Sequence, residues 1–309
     1  MDITQAKSIE ISDKHIFEKY FKDFEPEISE FTFTNLFAWQ EFYEFLFLEY
    51  NNHLLIFSKN FLQEKKSPIS NLDDVLYFLP PIGENPAKMI FFLFRAIKSL
   101  EIHKIPNKLS NKIKEMKEFN ELNLELKDDR DHWDYVYNKN NLLNLSGNKY
   151  RSKRNHLTAF LKIYDYEFHL INNEWLEKCK ELQNKWCITN ECQKHKDLKE
   201  EQKAISRMID NYSQLNFRGG ILLVDNIPVG YTFGEILNKD TGVIHIEKAH
   251  TNYRGSYQAI NKLFIENCCQ EVKYINREQD LGVDGLRAAK LSYHPDHMIN
   301  KKILYKKLL

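Results

Sequence analysis

Long apolar runs are missing from this sequence of 309 residues. The longest, "MIFFLF" from Met89 to Phe94, is far too short to cross a bilayer. The first residues, "MDITQAKSIEISDKHIFEKY", mix acidic and basic side chains and lack the apolar core of a signal peptide. We therefore expect a cytoplasmic chain without stable insertion into a membrane.

An excess of charge of either sign is missing too. Lysine and arginine total 44, and so do aspartate and glutamate. This balance gives no overall signature of binding to DNA or to an anionic membrane, although it allows a local basic patch. The 21 phenylalanines and 16 tyrosines can build a real core, which excludes a disordered chain. The length is typical of two domains.

Cysteine is scarce and odd in number. The five cysteines include the adjacent pair Cys268 and Cys269, which favours reduced thiols in a cytosol. Cys187 and Cys192 lie near His195, but no second pair of ligands follows. We expect small buried thiols at a helix end there, and no metal site.

Glycine and proline are also scarce, and they divide the chain into two halves. Nine of the ten glycines follow residue 146, and six of the eight prolines precede residue 110. Yet both halves share an order of elements. Strand-like runs flank Asn51-Asn52 in the first half and Asp225-Asn226 in the second, which predicts two tight hairpins. A strand, a loop and an amphipathic helix then follow in each half.

This repeat predicts an α/β (α+β) fold with two copies of one unit, each a mixed sheet flanked by helices. The boundary is placed after residue 146, where Ser146 and Gly147 interrupt the pattern. In residues 1–146, Asn85 is expected to cap a helix that begins at Pro86. The loop there, "LPPIGENPAK", has no Arg-Gly pair, and its prolines donate no N–H. We therefore read 1–146 as structural or as shaping an acceptor groove.

In residues 147–309, the stretch "HTNYRGSYQAINKLF" joins a strand to a helix. A helix N-terminus leaves unpaired N–H groups and partial positive charge, which suit an anion. Gly255 permits positive φ and close approach of a ligand, Arg254 adds a fork of donors, and Ser256 is a suitable N-cap. The stretch is either an anion-binding loop or a plain turn with a surface arginine.

The same stretch resembles the pyrophosphate-binding loop of the GNAT acyltransferase superfamily, roughly Gln/Arg-x-x-Gly-x-Gly/Ala before a helix. The resemblance implies that a phosphate-bearing donor binds at Arg254, Gly255, Ser256, Tyr257 and Gln258. The pattern departs at Tyr257, where a second small residue is expected. Bulk at that position narrows a channel for pantetheine and disfavours coenzyme A.

Further stretches extend the resemblance over nearly the whole chain: "FTFTNLFAWQEFY", "DYVYNKNNLLNLSGNKYRSKRNHLTAF", and "HIEKAHTNYRGSYQAINKLF" with "YINREQDLGVDGLRAAKLSYHP". Together they resemble an uncharacterised family of tandem GNAT-like proteins related to the catalytic domain of phosphatidylglycerol lysyltransferases. Those relatives move an amino acid from aminoacyl-tRNA to a lipid, and they are similar to the Fem-type transferases. The resemblance implies an enzyme that uses aminoacyl-tRNA and an amine or hydroxyl acceptor, either a small molecule or a lipid head group. Acyl-CoA as co-substrate, or a binding module without catalysis, are the alternatives.

Transfer of this kind needs a base, donors for an oxyanion and an acid. In a GNAT-like fold the strand before the loop borders the acyl carbonyl, so Glu247 is the expected base; the alternative is a carboxylate paired with Lys248. Tyr293 falls where many GNAT proteins carry an acid or positioning tyrosine. Asp280 is a further catalytic candidate.

Two polar clusters complete the predicted site. Asn276, Arg277, Glu278 and Asp280 follow a short strand, at the end where open sheets collect ligands. Of these, Asn276 and Glu278 are assigned to an acceptor or an amino acid; the alternative is a solvated loop. The basic run from Lys149 to His156 offers phosphate contacts for RNA or a lipid head through Arg151, Lys153 and Arg154, unless it is a solvated helix face.

Overall fold

The computed structural model describes residues 1–59, 68 and 75–307, and these form two compact units. Unit 1 takes the described residues of Met1–Asp134, Gln279–Gly282 and Ile299–Leu309. Unit 2 takes Tyr135–Glu278 and Val283–Met298. The chain therefore leaves unit 1 at Asp134, earlier than the boundary expected after residue 146, and it later returns to unit 1.

Strands in the described residues are β1 (Lys7–Ser8), β2 (Leu46–Tyr50), β3 (His53–Ser58), β4 (Leu76–Phe78), β5 (Ile82–Gly83), β6 (Leu100–Pro106), β7 (Leu124–Asp128), β8 (Asp134–Asn138), β9 (Tyr166–Leu170), β10 (Arg218–Val224), β11 (Ile227–Asn238), β12 (Thr241–Ala249), β13 (Tyr274–Asn276), β14 (His297–Ile299) and β15 (Lys301–Lys306).

Helices are α1 (Lys14–Asp23), α2 (Phe33–Ala38), α3 (Gln40–Tyr43), α4 (Pro86–Ala96), α5 (Asn107–Glu115), α6 (Lys117–Glu121), α7 (Lys139–Asn144), α8 (Arg151–Ile163), α9 (Asn173–Thr189), α10 (Lys196–Asp210), α11 (Ser256–Cys268) and α12 (Asp284–Leu291). Each of these helices is too short or too polar to cross a lipid bilayer.

Each unit contains one mixed sheet flanked by helices, as predicted. The order is β1-β2-β3-β4-β6-β15-β7 in unit 1, where β5 also pairs with β3. In unit 2 it is β9-β10-β11-β12-β13-β8-β14. One parallel pair lies inside each sheet, β4 with β6 and β12 with β13. The predicted fold class, an α/β (α+β) chain with two mixed sheets that are each flanked by helices, is confirmed.

The parallel pair of each sheet separates after three positions. In unit 2 the pairing ends at Val243 and Asn276, although β12 continues to Ala249. In unit 1 it ends at Phe78 and Ile102. Beyond those residues the strands splay, so side chains can enter between them.

Local signals in the sequence predicted both hairpins and the start of α4. Asn51 and Asn52 have φ of 46° and 56°, and Asp225 and Asn226 have φ of 50° and 63°, as the left-handed turn of a tight hairpin requires. Helix α4 begins at Pro86, as predicted. Asn85 precedes it with φ 54°, however, and its side chain donates to Glu84 instead of capping the helix.

The division into units differs from the expected one because two strands are exchanged. Strand β8 follows β7 along the chain, yet it lies in the sheet of unit 2 between β13 and β14. Strand β15 follows β14, yet it lies in the sheet of unit 1 between β6 and β7. Each sheet therefore receives one inner strand from the other part of the sequence.

A buried ion cluster in unit 1 holds the start of β15. The Lys301 ammonium lies 2.6 Å from Asp134 Oδ1 and 2.6 Å from Glu30 Oε2. Gln279 donates to Asp134 Oδ1 at 3.0 Å, and the Ser29 backbone N–H donates to its other oxygen at 2.9 Å. Burial alone would lower the pKa of Lys301, but Asp134 and Glu30 raise it, so the Lys301 ammonium remains charged.

Cys187 and Cys192 form a disulfide, which contradicts the expectation of reduced thiols throughout. Helix α9 ends at Thr189, and Glu191 in a left-handed conformation turns the chain back, so the two sulfurs meet. Cys179, Cys268 and Cys269 are free and buried. The turn was not recognisable from residue types alone.

Candidate functional site

Glu247, the predicted base, lies on β12 beyond the point where β13 separates from it. Arg277 Nη2 lies 2.7 Å from its Oε1, and Asn261 Nδ2 donates to its Oε2 at 2.6 Å. A carboxylate has about four lone-pair sites, so each oxygen can still accept a further proton or hydrogen bond. The alternative pairing with Lys248 is not observed, because that ammonium binds Glu201 at 2.7 Å.

Tyr293 joins the same cluster. Its hydroxyl accepts a hydrogen bond from Gln258 Nε2 at 3.2 Å. The Arg277 guanidinium lies 4.9 Å from the centre of its ring, and the Lys153 ammonium 4.6 Å. Burial raises the pKa of Tyr293 although Arg277 opposes the rise, so the phenol keeps its proton at neutral pH. The structure thus brings both Glu247 and Tyr293 into contact with Arg277.

The predicted phosphate loop is held tightly by the protein itself. Gly255 is the N-cap of α11 with φ 91°, and a Cβ at that position would overlap the carbonyl of His156 on α8. Glycine therefore permits the approach of α8 rather than of a ligand. Ser256 is the first helical residue and not the cap; its hydroxyl donates to His250 O at 2.8 Å. The Arg254 N–H donates to the Tyr164 hydroxyl at 3.3 Å.

Tyr257 occupies the position at which the family pattern has a small residue. Trp186 Nε1 donates to its hydroxyl at 3.3 Å, and burial raises the pKa of the phenol. Its ring packs against the core of unit 2. Tyr257 therefore anchors α11, and it fills space next to the loop.

The three basic side chains assigned to phosphate binding face different directions, because an α-helix turns by about 100° per residue. Arg151 lines an open cleft of about 440 Å³ with Arg254; the other lining residues are Asn148, Lys149, Ser152, Asn155 and His156. Arg154 instead donates to the carbonyls of Leu145 and Gly147, where it ties down the end of α7. Lys153 points to Tyr293.

The acceptor candidates are bound by neighbouring groups. Asn276 is fully buried, and its Oδ1 accepts from the Glu278 N–H at 2.8 Å. The Glu278 carboxylate lies 2.7 Å from Nδ1 of His245, whose Nε2 lies 2.8 Å from Glu235. Burial alone would lower the pKa of His245, but the two carboxylates raise it to about 10. An imidazolium therefore holds Glu278 in place.

Asp280 lies in unit 1 and is fully buried. Its carboxylate lies 3.0 Å from Arg130 Nη1 and accepts from the Gly282 N–H at 2.9 Å. The structure therefore does not bring Asp280 into the cluster around Glu247. Arg277 was grouped with the polar loop, but its central place in the site, and that of Asn261, carried no signal in the sequence.

Comparison with known proteins identifies the family. Residues 21–305 match the family model described as phosphatidylglycerol lysyltransferase, C-terminal. The chain belongs to this family. The resemblance inferred from the sequence motifs is thereby confirmed. An uncharacterised protein of Mycoplasmoides gallisepticum is 28% identical over 177 residues, which cover 55% of this chain and 55% of that protein.

Solved structures share the family fold. A protein of unknown function from Bacteroides thetaiotaomicron is 27% identical, with a TM-score of 0.86 over 98% of this chain and 99% of that one. L-PGS from Bacillus licheniformis is 13% identical, with a TM-score of 0.63 over 96% and 93% of the two chains. FemX is 10% identical, with a TM-score of 0.60 over 98% and 97%.

Proposed function

We propose that this family member is a GNAT-type transferase that moves an aminoacyl group from aminoacyl-tRNA to an amine or hydroxyl acceptor in the cytoplasm. One observation carries the proposal. Where β12 and β13 separate, the Arg277 guanidinium contacts both the Glu247 carboxylate and the Tyr293 ring. A carboxylate that can accept a proton thus lies close to a phenol that can donate one. Acyl transfer requires both functions.

In this mechanism Glu247 takes the proton of the acceptor as the nucleophile attacks the ester carbonyl carbon. The new bond forms, and the carbonyl oxygen becomes an oxyanion. When the carbonyl re-forms, the bond to the tRNA ribose oxygen breaks. Tyr293 gives its proton to that oxygen, and the proton on Glu247 restores the phenol through solvent. Gln258 orients the Tyr293 hydroxyl.

The cleft with Arg151 and Arg254 is the proposed site of the donor phosphates. Its open, basic character suits a large polyanion. A pantetheine thioester is less suitable, because α8 packs against Gly255 and Tyr257 fills the adjacent space. These packing contacts favour tRNA over acyl-CoA. Unit 1 is proposed to shape the acceptor side, since its loop "LPPIGENPAK" before α4 has no Arg-Gly pair.

Binding of tRNA tests the donor assignment. Binding should weaken steeply with salt, and Arg151→Ala and Arg254→Ala should each reduce the slope of log K against log salt by about 1. Lys162→Ala on the exposed end of α8 is the matched control and should leave the slope unchanged. Binding of acetyl-CoA at micromolar concentration without salt-sensitive binding of tRNA would favour the acyl-CoA alternative. Salt-sensitive binding without transfer would indicate a binding module.

A further inference from the structure

Two cations share one aromatic ring in unit 2. The Lys153 ammonium lies 4.6 Å from the centre of the Tyr293 ring, and the Arg277 guanidinium lies 4.9 Å from it. Arg277 is paired with Glu247. Among residues 1–59, 68 and 75–307, no carboxylate lies within ion-pair distance of Lys153. The cluster of Lys153, Arg277 and Glu247 therefore carries one positive charge in excess.

This arrangement is unfavourable unless an anion joins it. Burial and the charge of Arg277 both lower the pKa of Lys153. Arg277 Nη1 is also buried, and it has no hydrogen-bond partner in the described part of the chain. An orphaned guanidinium N–H in a buried place costs free energy, and such groups are rare outside sites that receive a ligand. The excess charge and the unpaired Nη1 both favour an anionic ligand at this cluster.

We propose that Lys153 and Arg277 form an anion subsite, separate from the cleft at Arg254, that binds a singly charged oxyanion of the acceptor, either a phosphodiester or a carboxylate. One negative charge would balance the excess charge of the cluster. The guanidinium and the ammonium are both strong donors to such oxygens. Naming the acceptor as the carrier rests on the proposed function; the subsite itself does not.

The subsite would set acceptor specificity. An anion between Lys153 and Arg277 holds the rest of its molecule beside Glu247 and Tyr293, where the proposed proton transfers occur. An acceptor without the anionic group would lose this alignment. Lys153 would then serve the acceptor, although its neighbours Arg151 and Arg254 serve the donor.

Protection of Lys153 from acylation tests the subsite without tRNA or turnover. The full chain is treated with a limiting amount of acetyl N-hydroxysuccinimide ester, and acetylation of each lysine is followed by peptide mass spectrometry. The arms contain dimethyl phosphate, acetate, or sodium chloride at matched ionic strength. A probe at twice its Kd should slow acetylation of Lys153 about threefold, since protection follows 1 + [L]/Kd. The stronger of the two probes identifies the anionic group.

Lys162 on the exposed end of α8 is the internal control, because it lines neither proposed site, and its rate should not change. Arg277→Lys retains a positive charge but removes the guanidinium, so protection of Lys153 should disappear while thermal unfolding shows a folded chain. Equal rates for Lys153 in all three arms would overturn the subsite, and so would equal protection of Lys162. Either result would leave the test of tRNA binding unaffected.

Discussion

The two sheets can be superposed residue by residue through their strand registers, and they differ where chemistry is expected. In unit 1, Phe78 pairs with Phe57 and Ile82 pairs with Leu54. In unit 2, Val243 pairs with Glu235 and Glu247 pairs with Thr232. Along each strand, the two pairs are separated by the same number of residues in both units. Ile82 therefore occupies the position of Glu247. Unit 1 thus has an apolar side chain where unit 2 has its proposed base.

The second strand of each parallel pair gives the same correspondence. Lys104, two residues past Ile102, has φ 60°, and Glu278, two residues past Asn276, has φ 56°. The backbone distortion is therefore common to both units. The residue before this left-handed position is His103 in unit 1 and Arg277 in unit 2. His103 Nε2 lies 2.6 Å from Glu101 Oε2. One backbone supports a closed site in one unit and a polar site in the other.

The loops that follow differ in length. The N-cap Asn85 comes three positions after Ile82, whereas the N-cap Gly255 comes eight positions after Glu247. The extra residues include Arg254, which lines the basic cleft. The difference between the units therefore consists of a changed side chain and a longer loop on an unchanged strand arrangement.

Substitution of the proposed base should give the largest effect. Glu247→Gln keeps the shape and removes the proton acceptor, so turnover in an aminoacyl-transfer assay should fall by about 10² to 10⁴ with donor binding retained. Ile82→Val at the corresponding position of unit 1 should leave turnover unchanged. If both variants behave alike, the contrast between the units does not concern catalysis.

The buried cluster at β15 should dominate stability. Lys301→Met leaves Asp134 and Glu30 without their cation and should lower the free energy of unfolding by about 3–5 kcal/mol. Lys302→Met is the neighbouring control; its ion pair with exposed Asp128 should contribute less than about 1 kcal/mol. Urea unfolding of the three proteins measures both values. A similar loss for both lysines would contradict the role of the cluster.

His245 should make the stability of the chain depend on pH. The corresponding position of unit 1 is Pro80, which does not titrate, so this contribution has no counterpart there. The pKa of His245 is raised to about 10 in the folded chain from the ordinary value of 6.5. The added stability is therefore complete below pH 6.5 and is lost as pH rises towards 10. We expect roughly 2–4 kcal/mol for the whole change. His245→Gln should remove this part of the slope; an identical slope in both proteins would contradict it.

The two left-handed N-caps should respond differently to a change of side chain. Gly255→Ala forces a Cβ against the His156 carbonyl at positive φ, so it should lower stability by about 1–3 kcal/mol. Asn85→Gly should change stability by less than about 0.5 kcal/mol, because both residues tolerate φ of 54°. Equal effects would mean that α8 does not pack tightly on the loop. Loss of donor binding in a Gly255 variant must be judged against this structural damage.

The sequence patterns predicted those features of the fold that depend on residues close together in the chain. Asn51-Asn52 and Asp225-Asn226 gave the hairpins, and Pro86 gave the start of α4, because these residues act on their own backbone. The exchange of β8 and β15 escaped prediction, since the residue types of these short strands do not specify which sheet they join. The ion pair of Asp280 with Arg130 joins residues 150 positions apart.

The candidate site, like the fold, was predicted in part. Glu247 and Tyr293, both predicted for catalysis, each contact Arg277, whereas Gln258, which was assigned to donor binding, donates to Tyr293. The different directions of Arg151, Lys153 and Arg154 follow from the phase of α8 relative to its neighbours, which residue types do not reveal. Their roles in catalysis and binding stay predictions until the variants are measured.

The exchange of strands also has a consequence during synthesis of the chain. Strand β15 lies between β6 and β7 in the sheet of unit 1, so that sheet cannot close until residues 301–306 have left the ribosome. Most of unit 1 is translated first, yet β6 and β7 lack their shared partner strand until β15 emerges, so their edges stay unpaired. A nascent chain stalled before β15 should therefore recruit chaperones through unit 1, even though that half has been fully translated.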